Sequence, residues 1–180
     1  CFFALRSMDM IQIREAGIAD AAVIADLSRT TFFETFASQN TKADMDLFLE
    51  KQFSREMLMA QVGEPGNHFF LADYNEVMAG YVFLKTSLQD PIADAGTIEI
   101  ARIYVSDSCI GKGVGKVLMQ TALQFARSRN ARHVRLAVWE QNHRAIRFYE
   151  SFGFIRSGVQ DFLLGTDVQH DFIMQLALAE

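Results

Sequence analysis

The chain has 180 residues, half of them hydrophobic and 22% charged, which suits one domain with a sizeable core and excludes a disordered or low-complexity protein. Its net charge of -5 is uneven: residues 1–100 carry fifteen acidic against seven basic side chains, and residues 101–180 carry seven against ten. Two cysteines, Cys1 and Cys109, and four scattered histidines exclude a disulfide framework and metal-ligand spacing, so a metal-free protein of a reducing, cytoplasmic compartment is expected, and no stretch nears the ~20 apolar residues of a membrane span.

The apolar start CFFALRS is too short for a signal peptide. Met8 or Met10 is a plausible native start, so residues 1–9 are expected to be an added remnant or a disordered N-terminus, and residues 10–180 a single domain. IQIREA alternates from Ile11 and predicts a first strand, after which Asp20 is placed to N-cap a helix with Val23, Ile24, Leu27, Thr31 and Phe32 on one face. Thr41 caps a second helix over residues 42–53, and Ser54 a short third one. Residues 68–74 and 77–86 are apolar strands around a turn at Asn75 and Glu76, a hairpin. The loop 87–96 leads to TIEIARIYV, residues 97–105, whose nearly continuous apolar run predicts burial on both faces. Gly111, Gly113 and Gly115 follow, and from Val114 the apolar positions Val117, Leu118, Ala122, Phe125 and Ala126 recur at helical spacing to about Arg129. HVRLAVW, residues 133–139, is the next strand, and a strand, helix, strand unit makes its two strands parallel. Asn142 caps a helix through Phe152 that Gly153 ends, and residues 170–178 form a last strand. The order is mixed α/β, a central sheet with helices on its faces.

The glycines open a helix directly behind a buried strand, where backbone must come close to something that a side chain would block. A Walker P-loop is excluded, because Ile110 stands where its first glycine belongs and Val117 where Ser or Thr must follow Gly115-Lys116. A dinucleotide fingerprint is excluded too, since neither Lys116 nor Leu118 is the third glycine it requires. What remains is a run of unobstructed N–H groups at the positive end of a helix dipole, with Lys112 and Lys116 beside it, suited to a pyrophosphate. Residues 109–149 hold eight basic side chains against one acidic, Glu140. A tight turn that needs glycine for geometry, and ordinary solvated surface charge, account for the same residues.

IGKGVG after a buried strand, followed by NHRAIRFYESFGF, resembles the GCN5-related N-acetyltransferases (GNAT), which bind acetyl-CoA through a Q/R-x-x-G-x-G/A turn and share an N-x-x-A-x-x-x-Y-x-x-x-G-F helix. Asn142, Ala145, Tyr149, Gly153 and Phe154 fall in register, whereas Ile110 stands where the family usually has Gln or Arg. Because backbone N–H groups hold the phosphates, that departure is expected to cost affinity rather than binding. The resemblance implies a single α/β domain of GNAT type. Its central mixed, mostly antiparallel sheet would carry helices on both faces and a parallel strand pair that splays at the acetyl-CoA site.

The function so implied is transfer of an acetyl group from acetyl-CoA, as cosubstrate and without a metal, to a primary amine. Tyr149 takes the role of acid to the departing thiolate, whose thiol pKa is ~8.5 against ~10 for tyrosine. Ile103, Tyr104 and Val105 lie along the pantetheine, Ile110, Gly111, Lys112, Gly113, Val114, Gly115 and Lys116 hold the phosphates, and Asn142 helps hold the pantetheine arm. Packing explains the ring of Tyr149 equally, plain core the three strand residues, and a helix cap Asn142. Glu99, eleven residues before the Gln/Arg position, is the candidate base; pairing with Arg102, or exposure to water, accounts for it as well, and a water chain is the alternative base. Trp139 and Glu140 end the parallel partner strand where the acceptor site is implied, with a surface carboxylate as the plain reading of Glu140. RTTFFETFASQNTKADMDLFL, with EIARIYV and LAVWEQN, is similar to bacterial polyamine acetyltransferases of the PaiA type, which suggests spermidine or a related amine. A protein or peptide acetyltransferase and a non-catalytic acyl-CoA-binding regulator are the competing readings. A small-molecule amine is the expected partner, with no membrane and no nucleic acid, because the acidic N-terminal half repels a phosphate backbone. A homodimer is left open.

Overall fold

The computed structural model describes residues 10–86 and 96–178. The expected N-terminal remnant, residues 1–9, and the loop at 87–95 lie outside the described residues. Alternation at Ile11 produces β1 (Ile11–Glu15), and a 3-10 turn leads into α1 (Ala21–Phe36). Asp20 does not cap α1 through its side chain. Its carboxylate accepts from the Gly17 N–H (2.9 Å) and from both terminal nitrogens of Arg14 (2.7 and 2.9 Å), closing the preceding turn instead. The buried face of α1 is Ala21, Ile24, Ala25, Ser28, Thr31 and Phe32; Val23, expected there, is exposed, since the helix rotates its small residues toward the sheet.

Thr41 and Ser54 cap α2 (Lys42–Lys51) and α3 (Arg55–Ala60) as expected, each hydroxyl accepting from the third helical N–H. The hairpin β2 (Asn67–Tyr74) and β3 (Val77–Lys85) turns through Asn75 and Glu76, both at positive φ. β4 (Thr97–Val105), α4 (Val114–Ser128), β5 (His133–Trp139) and α5 (His143–Glu150) follow, and Gly153, at φ 92°, turns the chain after α5. β6 (Ile155–Leu164) and β7 (Asp167–Ala177) close the chain as a hairpin.

Among the described residues the sheet has seven strands in the order β1-β2-β3-β4-β5-β7-β6, antiparallel everywhere except at β4 and β5. The sequence predicts six of these; β6 is the addition. An edge strand interrupted by Gly158 and a register shift, exposed along most of its length, gives the core only Phe162 and Leu164 at its far end and so no sustained alternation to read.

Alternation places the strand residues on two cores. On one face, Val82, Leu84, Ile98, Ile100, Val134 and Leu136 pack against Leu118, Met119, Ala122 and Ala126 of α4. On the other, Phe69, Leu71, Tyr81 and Phe83 meet Ala21 and Ile24 of α1. An aromatic cluster continues this second core outward, with Phe32 stacked on Phe48 at 4.6 Å and tilted against Phe53 at 5.0 Å. β4 departs from its expectation: only its first half is buried on both faces, while residues 101–105 are half-exposed. No helix among the described residues is long and apolar enough to cross a membrane.

Candidate functional site

The parallel ladder between β4 and β5 runs from Thr97 opposite His133 to Ile100 opposite Leu136 and stops. Beyond it, β5 stays with β7 as far as Trp139 opposite Asp171, while β4 stays with β3, so the two strands part. A register shift opposite Phe83 and Leu84 leaves Ala101 as an extra residue in β4, and such a bulge bends its strand. Gly80 lets the bent arm lie close on β3, because a Cβ there would stand 2.4 Å from the Tyr104 carbonyl oxygen. The gap opens into a groove of about 820 Å³.

One end of the groove is the glycine turn. Gly111 and Gly113 adopt left-handed φ of 80° and 86°, conformations that favour glycine. A Cβ on Gly111 would meet nothing within 4 Å, so the space beside it is open for a ligand. The N–H groups of Gly111, Gly113, Val114, Gly115 and Lys116 donate to no described residue, and they stand at the positive end of a 15-residue helix. Such a cradle fits a pyrophosphate. Gly111, Gly113, Gly115, Lys116 and the 37%-exposed Ile110 line the groove. Lys112 and Val114 do not: the Lys112 ammonium lies over the Tyr74 ring, 4.9 Å from its centre, and Val114 is buried in the core.

The middle of the groove brings β4 and α5 together. Ile103, Tyr104 and Val105 line it, as do Asn142 and Tyr149. Asn142 caps α5, its Oδ1 accepting from the Ala145 N–H at 3.2 Å. Tyr149 is buried, its ring 5.5 Å from that of Phe148 and 6.1 Å from that of Phe154, yet its hydroxyl bonds to no described residue. Burial pushes the Tyr149 phenol above its ordinary range, and does the same to Tyr104, so both stay protonated.

Acidic groups occupy different parts of the wall. Glu99 lines the groove beside the start of the splay, 3.9 Å from Arg135 of β5. Arg102 bonds instead to the Gln61 side-chain oxygen and lies over the rings of Phe83 and Phe53, leaving its Nη1 buried with no partner among the described residues. Trp139 lines the groove and touches Phe36 edge-on at 5.8 Å. Glu140, one residue further, is half-buried and does not line it.

The sequence reading passed over Asp171, a 9%-exposed carboxylate of β7 that opens into the groove and that burial pushes up to about 6. Its only local signal is an acidic residue directly before the apolar run Phe172, Ile173, Met174. The far wall, also unforeseen, consists of Phe32, Thr35 and Phe36 of α1, Phe48 of α2 and Phe162 of β6. It is held by Arg29, which donates to the carbonyls of Leu49 and Phe53 (2.5 and 2.6 Å), and by Asp44, which accepts from the Thr166 N–H (2.7 Å) and hydroxyl (2.8 Å). Among the described residues, no three His, Cys, Asp or Glu side chains gather into a metal-binding group.

Comparison with known proteins places this architecture among relatives. The profile of the Acetyltransferase (GNAT) family matches residues 24–154. An uncharacterized N-acetyltransferase in the pepI 3' region of Lactobacillus delbrueckii subsp. lactis is 33% identical over 175 residues, covering 97% of this chain and 99% of that protein. The fold is similar to that of a PaiA N-acetyltransferase from Thermoplasma acidophilum in complex with coenzyme A, with a TM-score of 0.76 at 22% identity over 94% of this chain and 99% of that one. It is also similar to yncA from Salmonella typhimurium, solved with its cofactor acetyl-CoA, with a TM-score of 0.71 at 22% identity over 94% and 95% of the two chains.

Proposed function

Because the chain belongs to the acetyltransferase (GNAT) family, we propose that its groove transfers the acetyl group of acetyl-CoA to a primary amine of a small molecule, with a polyamine such as spermidine as the first acceptor to test. One observation carries the reading: the undonated N–H groups of Gly111, Gly113, Gly115 and Lys116, the unpaired edge of β4 and the free hydroxyl of Tyr149 all open to the same gap between β4 and β5.

Each part answers a requirement of the reaction. The pyrophosphate takes the undonated amides of Gly111, Gly113, Gly115 and Lys116, with Lys116 adding charge. The pantetheine lies along β4 at Ile103, Tyr104 and Val105 as an added strand, where a backbone N–H polarises the thioester carbonyl. Asn142 borders the same arm. Tyr149, kept protonated by burial, donates to the sulfur as the C–S bond breaks. Ile110 offers no side-chain donor at the turn, which leaves phosphate recognition to the backbone.

The acceptor end favours a small cationic substrate over a peptide. Its far wall is closed by α1, α2 and β6, and it is aromatic, a surface that suits methylene chains and ammonium groups. Glu99 remains the sequence candidate for the base, through its place on the wall.

A free-thiol assay with acetyl-CoA against spermidine, amino acids, aminoglycosides and peptides tests the proposal. Thiol release with polyamines above the other acceptors is expected. Acetyl-CoA binding without thiol release from any amine would make the chain an acyl-CoA-binding regulator instead.

A further inference from the structure

We propose that Asp171 is the group that receives the acceptor, pairing with its ammonium and taking one proton from it. This rests on the acetyl-transfer reading and assigns the substrate class of that site, a cationic amine. Asp171 is nine-tenths buried, yet its carboxylate makes no hydrogen bond or ion pair with any described residue. An ionised carboxylate left so is costly, and proteins keep such groups paired or use them. A cation brought by the substrate supplies the missing partner.

The surroundings support that role. Asp171 sits in register with Trp139 on β5 and Gln160 on β6, both uncharged. Across the groove, Tyr104 and Tyr149 stay protonated through burial. The groove's own cations, Lys85, Arg102, Lys116 and Arg144, form no ion pair with it, and Arg102 is already turned to Gln61. His170, next in the strand, pairs with Asp161 at 3.1 Å. Desolvation alone raises Asp171, to about 6. Trp139 and the phenylalanines beyond it give a methylene chain an apolar track that ends at this carboxylate.

In water an alkyl ammonium, with a pKa near that of lysine, ~10.4, holds its proton firmly. In the groove, desolvation penalises both charges of the pair, and moving one proton from nitrogen to carboxylate neutralises both. The freed lone pair then forms the N–C bond and the C–S bond breaks. The thiolate takes the Tyr149 proton, the second proton leaves the new amide nitrogen to restore the phenol through solvent, and Asp171 returns its proton to water. The products are an acetamide, a free thiol and one proton.

The test is Asp171→Asn, with spermidine and with hydroxylamine, an acceptor that is neutral at pH 7. For spermidine, kcat/KM is expected to fall by about 10²-fold or more. Acetyl-CoA affinity should stay within about twofold, and Tm should match or exceed that of wild type, because an unpaired buried charge is removed. Hydroxylamine should lose much less. Wild-type kcat/KM should decline as pH falls through about 6, where the carboxylate protonates, and the variant should lack that limb. Asp171→Glu should restore part of the activity. Undiminished spermidine turnover in Asp171→Asn, or an unchanged acidic limb, overturns the inference and leaves acetyl transfer standing. Absence of wild-type thiol release with every amine overturns both.

Discussion

Replacing Tyr149 by Phe removes one oxygen and nothing else from the groove. The ring is held by Phe148 and Phe154 and its hydroxyl bonds to no described residue, so no packing contact and no protein hydrogen bond is lost. Tm should therefore stay close to wild type or rise slightly, since a buried hydroxyl without a protein partner adds nothing to stability. The kinetic effect is different. A thiolate leaving with a thiol pKa of ~8.5 loses the acid proposed for it, and a hydrogen bond to a charged group is worth about 1.5–3 kcal/mol. At about 1.36 kcal/mol per decade, that alone is a loss of roughly 10- to 150-fold, and full acid catalysis extends it toward 10⁴-fold. Turnover by free-thiol release, acetyl-CoA affinity by calorimetry and Tm together decide the matter. Turnover should fall by about 10²-fold or more while affinity and Tm hold. Because burial raises the phenol, Tyr149 should add no basic limb to the profile until above its ordinary value of ~10. A variant that turns over at the wild-type rate with every active acceptor would refute the role of Tyr149 even with acetyl transfer intact.

Three further outcomes follow from the same geometry. Gly113→Val forces a branched side chain into a left-handed φ of 86° at the phosphate cradle; the acetyl-CoA dissociation constant should rise tenfold or more, about 1.4 kcal/mol, and an unchanged isotherm from folded protein would remove the cradle assignment. Gly80→Ala puts a Cβ 2.4 Å from the Tyr104 carbonyl, so the outer arm of β4 must move; overpacking of about 1–3 kcal/mol should lower Tm by several degrees and weaken acetyl-CoA binding, and neither change would mean that the arm is free to shift. Asp20 is held at about 2, first by its hydrogen bonds from Arg14 and then by the Gly17 N–H. A depressed carboxylate stabilises the fold above its unfolded value, ~3.9, and loses that contribution as pH falls toward 2. Urea unfolding should thus find Asp20→Asn weaker than wild type at pH 7 and the two converging by pH 2; an equal gap at both would assign the loss to something other than charge.

Where information is local, it was legible. Thr41, Ser54 and Asn142 cap the helices they precede because a hydroxyl or amide oxygen three residues from an orphan N–H needs no tertiary partner. The glycine turn, the helix behind it and the parallel strands flanking that helix also follow from residues close in sequence. Asp20 misled for a tertiary reason: Arg14, across the turn, competes for its carboxylate. Val23 did so because the helix face was chosen by hydrophobicity, whereas Ala21, Ala25 and Ser28 are what allow close approach to the sheet. Ser28, buried, donates to the Ile24 carbonyl and is met by the Tyr81 hydroxyl at 2.7 Å, a pairing across fifty-three positions that no local pattern announces.

The site divides along the same line. Its cosubstrate end is built from one continuous stretch, β4 through α5, so spacing and residue type carry it. The end proposed for the acceptor is assembled where β5, β7 and β6 come into register, from Trp139, Asp171 and Gln160, and is roofed by α1 and α2 from the other half of the chain. Glu140 looked suited to that end because it follows Trp139, but the chain turns there and the position in register with Trp139 across the ladder is Asp171. Pairing across strands, which sequence distance conceals, brings the carboxylate to the groove. In this architecture the donor can therefore stay constant while the acceptor changes, since substitutions in β7, β6 and α1 alter one end of the groove without touching the turn that holds the other.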